Sequence, residues 1–427
     1  MRNVMNFPAN DAIERLSERV LEWRFKASPV AAEGQQIRQF LARSPRLAEF
    51  STPLLTLDGA ALDANLERMA QWCQEHSVAL APHGKTTMAP QLWKRQLDRG
   101  AWGMSLANLA QLRVAKEFGF RQLMLANVLA DPEAIRWVAN EVSDGTRILS
   151  WVDSIQTVRR IDSVLSGTET LLEVLVELGA PGGRTGARGI ESTFEMAQAV
   201  QNSRHLRLVG VAGYEGSLAH DASASGLRVV RAYLADLKIL HERLLAAKLY
   251  APDTRVILSA GGSAYFDLVV EVLGNKQLAE VELILRSGAY LVHDDGFYRA
   301  ISPFSRAADG QALLAGMHGW ARVASQPEPR LAILDAGKRD LPFDEGLPQP
   351  LGIAEELGQE VRPLVAASIS AVNDQHSYLR YNPELAEIRI GQVIKLGLSH
   401  PCTAFDKWTL IPVLDEGIVV DLVHTFF

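Results

Sequence analysis

Between about residue 53 and residue 300 a short apolar run, a polar or glycine-bearing loop and a helical stretch follow one another repeatedly. This alternation implies parallel strands, because consecutive parallel strands need a long return segment and a helix is the usual one. The strand segments read VALAPHGK, AWGMSLAN, QLMLAN, RILSWVDS, LLEVLVELG, LRLVGVAGYEG, RVILSAGG and ELILRSGAY. Eight such strands close a parallel sheet on itself, so a (β/α)8 barrel of the TIM type is expected over residues 51–300.

Past residue 300 the texture changes. Turn-rich stretches such as SPFSRAADG and KRDLPFDEGLPQP separate β-branched or alternating runs, among them LAILDAG, LVAASISAV, IRIGQVIKLGL and GIVVDLVHTFF. Residues 301–427 therefore read as an all-β domain following the barrel, and residues 1–50 as a short helical segment whose docking place the sequence does not reveal.

The formal net charge of −7 is spread along all 427 residues. No basic stripe is offered to phosphate backbones or anionic lipid, so neither nucleic acid nor a membrane is an expected partner. No stretch is long and apolar enough for a membrane span, and the amino terminus has no apolar core of a leader. With only two cysteines, Cys73 and Cys402, a disulfide framework is excluded and a reducing, cytoplasmic setting is expected. Cys73 lies in the helical stretch LERMAQWCQEH and reads as a small buried apolar side chain.

In a closed barrel the loops after the strands form one mouth, and side chains at the strand ends converge there. Lys85, Asn108, Asn127, Asp153, Arg184 and Tyr214 follow the first six strands in turn. Gly261, Gly262 and Ser263 follow the seventh, and Ser287, Gly288 and Tyr290 the eighth. A lysine so placed is partly desolvated, which favours the neutral amine that an aldehyde cofactor needs. The last two loops offer what a phosphate requires, backbone N–H donors at a glycine-permitted close approach. Near the carboxyl end, His400 and Cys402 are one residue apart; on an extended strand both would point to one face, although such a pair alone is weak support for a metal.

The run TPLLTLDGAALDANLERMAQ, followed by a strand carrying PHGKT, resembles the amino-terminal barrel of the alanine-racemase-like, fold-type III pyridoxal-phosphate enzymes. Within them it is most similar to the D-serine dehydratase and D-threonine aldolase branch. GGRTG, GYEG, SAGGSAYF, RSGAYLVHDD, NDQHSYL and HPCTAFDKW recur in order, and the resemblance runs from about residue 50 to the carboxyl terminus. It implies pyridoxal 5'-phosphate on Lys85 as a Schiff base, Arg184 facing the ring's phenolic oxygen, Tyr214 beside the ring and His83 shielding one ring face. It also implies a zinc ion on His400 and Cys402 next to the cofactor, and a homodimer. His376, in NDQHSYL, is left open between a third metal ligand and a hydrogen-bonding histidine.

The expected activity is then a lyase for a small D-amino acid, a D-3-hydroxy amino acid dehydratase acting on D-serine, D-threonine or a D-hydroxyaspartate. A D-threonine aldolase is the nearest rival. An amino-acid racemase and a non-catalytic carrier of the cofactor are the others, and the β domain with its His-x-Cys argues against the carrier.

Overall fold

The computed structural model describes residues 10–274, 281–307 and 310–427. Strand β1 (Leu54–Asp58) runs into helix Gly59–Glu75 and then into the first barrel strand, β2 (Ala79–Leu80). There follow β3 (Met104–Leu106), β4 (Gln122–Val128), β5 (Arg147–Val152), β6 (Leu172–Gly179), the two-residue β7 (Ala187–Arg188), β8 (Leu206–Gly213), β9 (Val256–Ser259) and β10 (Val281–Leu285). The sheet order is β2-β10-β9-β8-β6-β5-β4-β3, with β7 appended to β6, and every pairing is parallel. Its two ends meet, since Trp102 N donates to Leu80 O at 2.7 Å and Ser105 N to Pro82 O at 2.9 Å. The eight-stranded barrel expected from the alternation is present.

Side chains fill its interior: Ala81, Met124, Leu149, Trp151, Leu175, Val209, Ala212, Ile257 and Ile284 form one buried cluster. A barrel packed in this way leaves room for a ligand only at its mouth. Outside, the crossover helices begin at side-chain caps; Asp131 accepts from Ala134 N, Ser154 from Thr157 N and Ser223 from Gly226 N. Each cap satisfies an N–H that the first helical turn leaves without a partner.

The second sheet is built from β11 (Met317–Glu328), β12 (Leu331–Leu334), β13 (Gln349–Ala354), β14 (Arg362–Pro363), β15 (Ala367–Val372), β16 (Ser377–Tyr381), β17 (Val393–Gly397), β18 (Leu410–Asp415) and β19 (Ile418–His424). Its main path is β14-β13-β17-β11-β1-β18-β19, and β12, β15 and β16 branch from β11. β1 lies inside the 51–300 segment assigned to the barrel, yet it pairs antiparallel with β11 and parallel with β18. The chain thus enters the β domain first and returns to it after the barrel is complete, a route invisible in sequence because β1 and its helix look like an ordinary βα unit.

The amino-terminal segment docks on this same β domain. Lys26 Nζ bonds Arg339 O at 2.9 Å and sits 4.3 Å from the centroid of the Trp408 ring, while Val419 N donates to Pro45 O. Its α-helices among the described residues are Asn10–Glu14 and Ile37–Leu41. Among the described residues no helix is long and apolar enough to cross a membrane.

Candidate active site

After Leu80 the chain passes through Ala81–His83 into the tight turn Gly84–Thr86, which sets Lys85 at the barrel mouth. Burial lowers the pKa of the Lys85 amine; the thiolate of Cys402 opposes this, and the guanidiniums of Arg184 and Arg286 add to it. His83, just before it, is held well below the usual imidazole range by burial and by Lys85, Arg286 and Arg184. A neutral imidazole and a lysine eased toward its free amine therefore lie side by side.

Around them, polar groups lack partners. The Nδ1 atom of His83 and Oε2 of Glu177 are buried and make no hydrogen bond among the described residues. Burial raises the pKa of the Glu177 carboxyl, with Arg286, Asp153 and Arg184 the charges nearest to it. Arg184 lies over the Tyr214 ring, 4.3 Å from its centroid. Buried polar atoms are almost always paired in a finished core, so orphans converging on one mouth mark the place of a polar ligand. They fit a pyridoxal phosphate ring on Lys85, with Arg184 and Tyr214 beside it.

The phosphate end differs from expectation in one respect. Gly261 N and Gly262 N are not free for an anion, because they donate to the two oxygens of buried Glu215 at 3.0 and 2.7 Å. The N–H groups of these loops that bond no acceptor among the described residues include those of Ser263 and Gly288. The two loops are sewn together: Ala289 N donates to Ser263 Oγ at 3.2 Å, and Ser287 Oγ donates to Gly262 O at 3.0 Å. A Cβ on Gly288 would lie 2.5 Å from His83 O, so only glycine lets this loop approach the lysine turn.

Tyr290 is the second correction. It is 4% exposed, its hydroxyl accepts from Gln96 Nε2 at 3.1 Å, and it belongs to the core near Cys73 rather than to the mouth. Cys73 itself is buried as expected, and burial pushes its thiol up to about 12. Asn108 and Asp153 also have structural work at their strand ends: Asn108 caps helix Leu109–Glu117, and Asp153 accepts from Thr157 Oγ1 at 2.8 Å.

His400 and Cys402 are not on an extended strand. Cys402 lies in the short helix Pro401–Phe405, and His400 caps it in a left-handed conformation at φ 56°. The two side chains nonetheless lie near enough for the Cys402 sulfur to act on the charge of the His400 ring. Burial alone would lower the His400 pKa, but Cys402 and Asp344 raise it to about 9. Asp344 Oδ2 lies 2.5 Å from His400 Nδ1, and Asp344 Oδ1 accepts from Thr403 Oγ1 at 2.7 Å. Cys402 Sγ is 3.6 Å from the hydroxyl of Thr86, the residue after Lys85. The pair thus faces the lysine across the barrel mouth.

Among the described residues no group of three or more His, Cys, Asp or Glu is arranged to hold a metal. His376 supplies no third ligand, being exposed at the turn between β15 and β16, where its carbonyl accepts from Asn373 N. A sulfur and an imidazole nitrogen are the donor set that zinc favours, so the residues present fit that ion as two ligands.

Several members of the site escaped the sequence reading. Arg286 is buried within the barrel, donating to Ser259 Oγ and Gly213 O at 2.7 Å each. Glu177 and Glu215 are buried beside it. The one signal in sequence was a charge interrupting an apolar strand, as in LEVLVELG and ELILRSG.

Residues 57–269 match the family model of the alanine racemase amino-terminal domain, and residues 316–414 that of the serine dehydratase domain. The chain belongs to the alanine racemase-like, fold-type III family of pyridoxal-phosphate enzymes. Among the relatives of this fold-type III enzyme is D-threonine aldolase of an Arthrobacter species, 27% identical over 377 residues, which cover 88% of this chain and 92% of that protein. Another is 3-hydroxy-D-aspartate aldolase of Paracoccus denitrificans, 25% identical over 70% of this chain and 76% of that protein. Of solved structures, D-threo-3-hydroxyaspartate dehydratase of Delftia shares the fold with a TM-score of 0.71 at 21% identity, covering 89% of this chain and 99% of that one. These relatives are lyases of D-3-hydroxy amino acids, and that class frames the activity of the fold-type III enzyme described here.

Proposed function

We propose that the protein is a pyridoxal-phosphate- and zinc-dependent dehydratase that converts a D-3-hydroxy amino acid, D-serine or D-threonine, to a 2-oxo acid and ammonia. The observation that carries this is Cys402 set across the barrel mouth from Lys85, its Sγ 3.6 Å from the hydroxyl of Thr86, with His400 two positions before it and held by Asp344. The solved structures of the D-threo-3-hydroxyaspartate dehydratase include a histidine-to-alanine variant and a cysteine-to-alanine variant two positions apart, the latter in a metal-free form. This chain has the same His-x-Cys spacing.

Pyridoxal phosphate, when bound, supplies a conjugated electron sink for the pair left at Cα, and zinc supplies a Lewis acid for the β-oxygen. This chain's residues do the rest. Lys85, with its pKa lowered, accepts the Cα proton once its amine is free. Ser263 and Gly288 offer N–H groups to the phosphate, and Arg184 holds a fixed positive charge beside the ring next to Tyr214. His400 and Cys402 would hold the ion, whose Lewis acidity would help a poor leaving group depart.

The aldolase reading rests on the relatives named above and uses the same parts to break Cα–Cβ instead. Incubation of the holoenzyme with D-threonine separates the two. We expect 2-oxobutanoate and ammonia; glycine with acetaldehyde overturns the dehydratase.

A further inference from the structure

One loop of the mouth takes its shape from a single side chain. From the end of β6 to the helix Ile190–Gln201 the chain reads GAPGGRTGARG, with positive φ at Gly182, Gly186 and Gly189. A segment so rich in glycine has little shape of its own, because glycine restricts the backbone least. Its carbonyls nevertheless converge on one point, where the Arg188 guanidinium meets four of them. Nη1 donates to Thr185 O at 3.0 Å and to Gly186 O, and Nη2 donates to Gly183 O at 3.1 Å and to Arg184 O at 2.5 Å. Arg188 can reach back in this way because its own backbone is anchored: it lies on β7, opposite Gly179 in the ladder with β6, and its carbonyl accepts from Ser192 Oγ at 2.7 Å. The fold-back is close. A Cβ on Gly179 would collide with Arg188 Nη1, and one on Gly186 would lie 2.5 Å from Gly179 N.

Arg184 is the side chain that this loop carries to the mouth, where it lies 4.3 Å from the centroid of the Tyr214 ring. Tyr214 is fixed without the loop, since its N–H donates to the Tyr233 hydroxyl at 3.1 Å and that hydroxyl donates to Leu178 O at 2.6 Å, on β6. One half of the stacked pair is thus tied to a strand, and the other half is placed by the four contacts of Arg188.

We propose that Arg188 is a positioning residue that acts through Arg184, holding its guanidinium where the cofactor ring meets a fixed cation. This rests on the proposed function, in which pyridoxal phosphate sits on Lys85 with Arg184 beside its ring. A cation on a loose loop must be ordered as the ligand binds, whereas one on a braced loop is already in place, and the difference appears in affinity. The planar fork lets one side chain serve four carbonyls; an ammonium of the same charge does not span both arms.

The test is a double-mutant cycle on pyridoxal phosphate affinity, measured by titrating the full-length apoprotein of wild type, Arg188→Ala, Arg184→Ala and the double variant. The expected loss in Arg188→Ala is about tenfold, the size of one hydrogen bond to a charged group, while the same substitution in the Arg184→Ala protein costs less than twofold. Tryptic cleavage after Arg184, whose carbonyl Arg188 holds, should be about tenfold faster in Arg188→Ala, because cleavage follows the population of the open loop. Arg188→Lys, which keeps the charge without the fork, should shift both readouts in the same direction and serves where the alanine variant does not fold. Unchanged affinity, unchanged cleavage, or an equal loss of affinity with and without Arg184 overturns the inference while the proposed function stands. A wild type that forms no borohydride-reducible adduct on Lys85 sinks the proposed function, and this inference with it.

Discussion

The carboxylate of Glu215 accepts the backbone N–H of Gly262 at 2.7 Å, in the place where a phosphate would be sought. Its other oxygen takes Gly261 N, and Arg286 lies in its field, so one buried acid braces the loop from behind, while the N–H groups of Ser263 and Gly288 bond no acceptor among the described residues. The glycines matter for their backbone shape, with Gly261 at φ 93°, rather than for their own donors.

Glu215→Ala strands two N–H groups and removes a counter-charge from buried Arg286. Urea unfolding of the apoprotein should show a loss of about 3 kcal/mol, the usual cost of breaking one side of a buried charged contact. Pyridoxal phosphate titration should show weaker binding as well, because the loop is no longer braced. Unchanged stability and affinity would mean that Glu215 is a passive occupant.

Lys85→Ala should abolish the borohydride-reducible adduct that wild type forms with pyridoxal phosphate. Turnover of D-threonine should fall by about 10²–10⁴-fold, the range for losing a proton-transfer group. A reducible adduct that persists on another lysine would remove the foundation of the proposed chemistry.

The parts legible in the sequence are those that repeat or sit at a strand end. The alternation yields all eight strands of the barrel, and Lys85 follows the first of them because a strand terminus has one outlet. What the sequence hides depends on distant pairing. β1 belongs to the β domain through its ladder with Trp320 and Gly319, which are more than 250 residues away in the chain. Tyr290 stands two residues after Gly288, and nothing local says that its hydroxyl will find Gln96. His400 and Cys402 meet through a helical turn instead of a strand face, because Pro401 starts a helix and Asp294 pins the residue before it. Arg286 and Glu177 read as stray charges in apolar strands until the barrel closes and brings them together.

Asp344 should control metal occupancy without touching the metal. Its hydrogen bond to His400 Nδ1 fixes the ring so that Nε2 is free to ligate, and such outer carboxylates contribute about 10–100-fold in metal affinity. Zinc competition with a chromophoric chelator should show that loss in Asp344→Ala, and less of it in Asp344→Asn. Removal of the metal from wild type by a chelator should abolish dehydration, and added zinc should restore it. Full activity in a chelated, zinc-free preparation would end the metal's part in the reaction.

Acid should destabilise the fold in a defined window. His293 and His424 are buried and His318 is largely so, and burial together with nearby cations pushes each pKa down to about 4 from the ordinary imidazole value of 6.5. The unfolded chain therefore binds more protons than the folded one between pH 6.5 and 4. The contribution of these histidines is fully present above pH 6.5 and is lost as the pH falls toward 4, at about 1.4 kcal/mol per pH unit for each. Buried acids with raised pKa, Asp294 and Asp421 among them, act in the opposite direction, so the comparison must be made within a pair of proteins. His424 suits it: its ring packs 5.7 Å from that of Phe25, and its Nε2 bonds nothing among the described residues. In His424→Phe the decline in unfolding free energy between pH 6.5 and 5 should be shallower than in wild type by about one proton's worth, roughly 2 kcal/mol over the interval. Parallel curves for the two proteins would show that this imidazole is not neutral for the reason given.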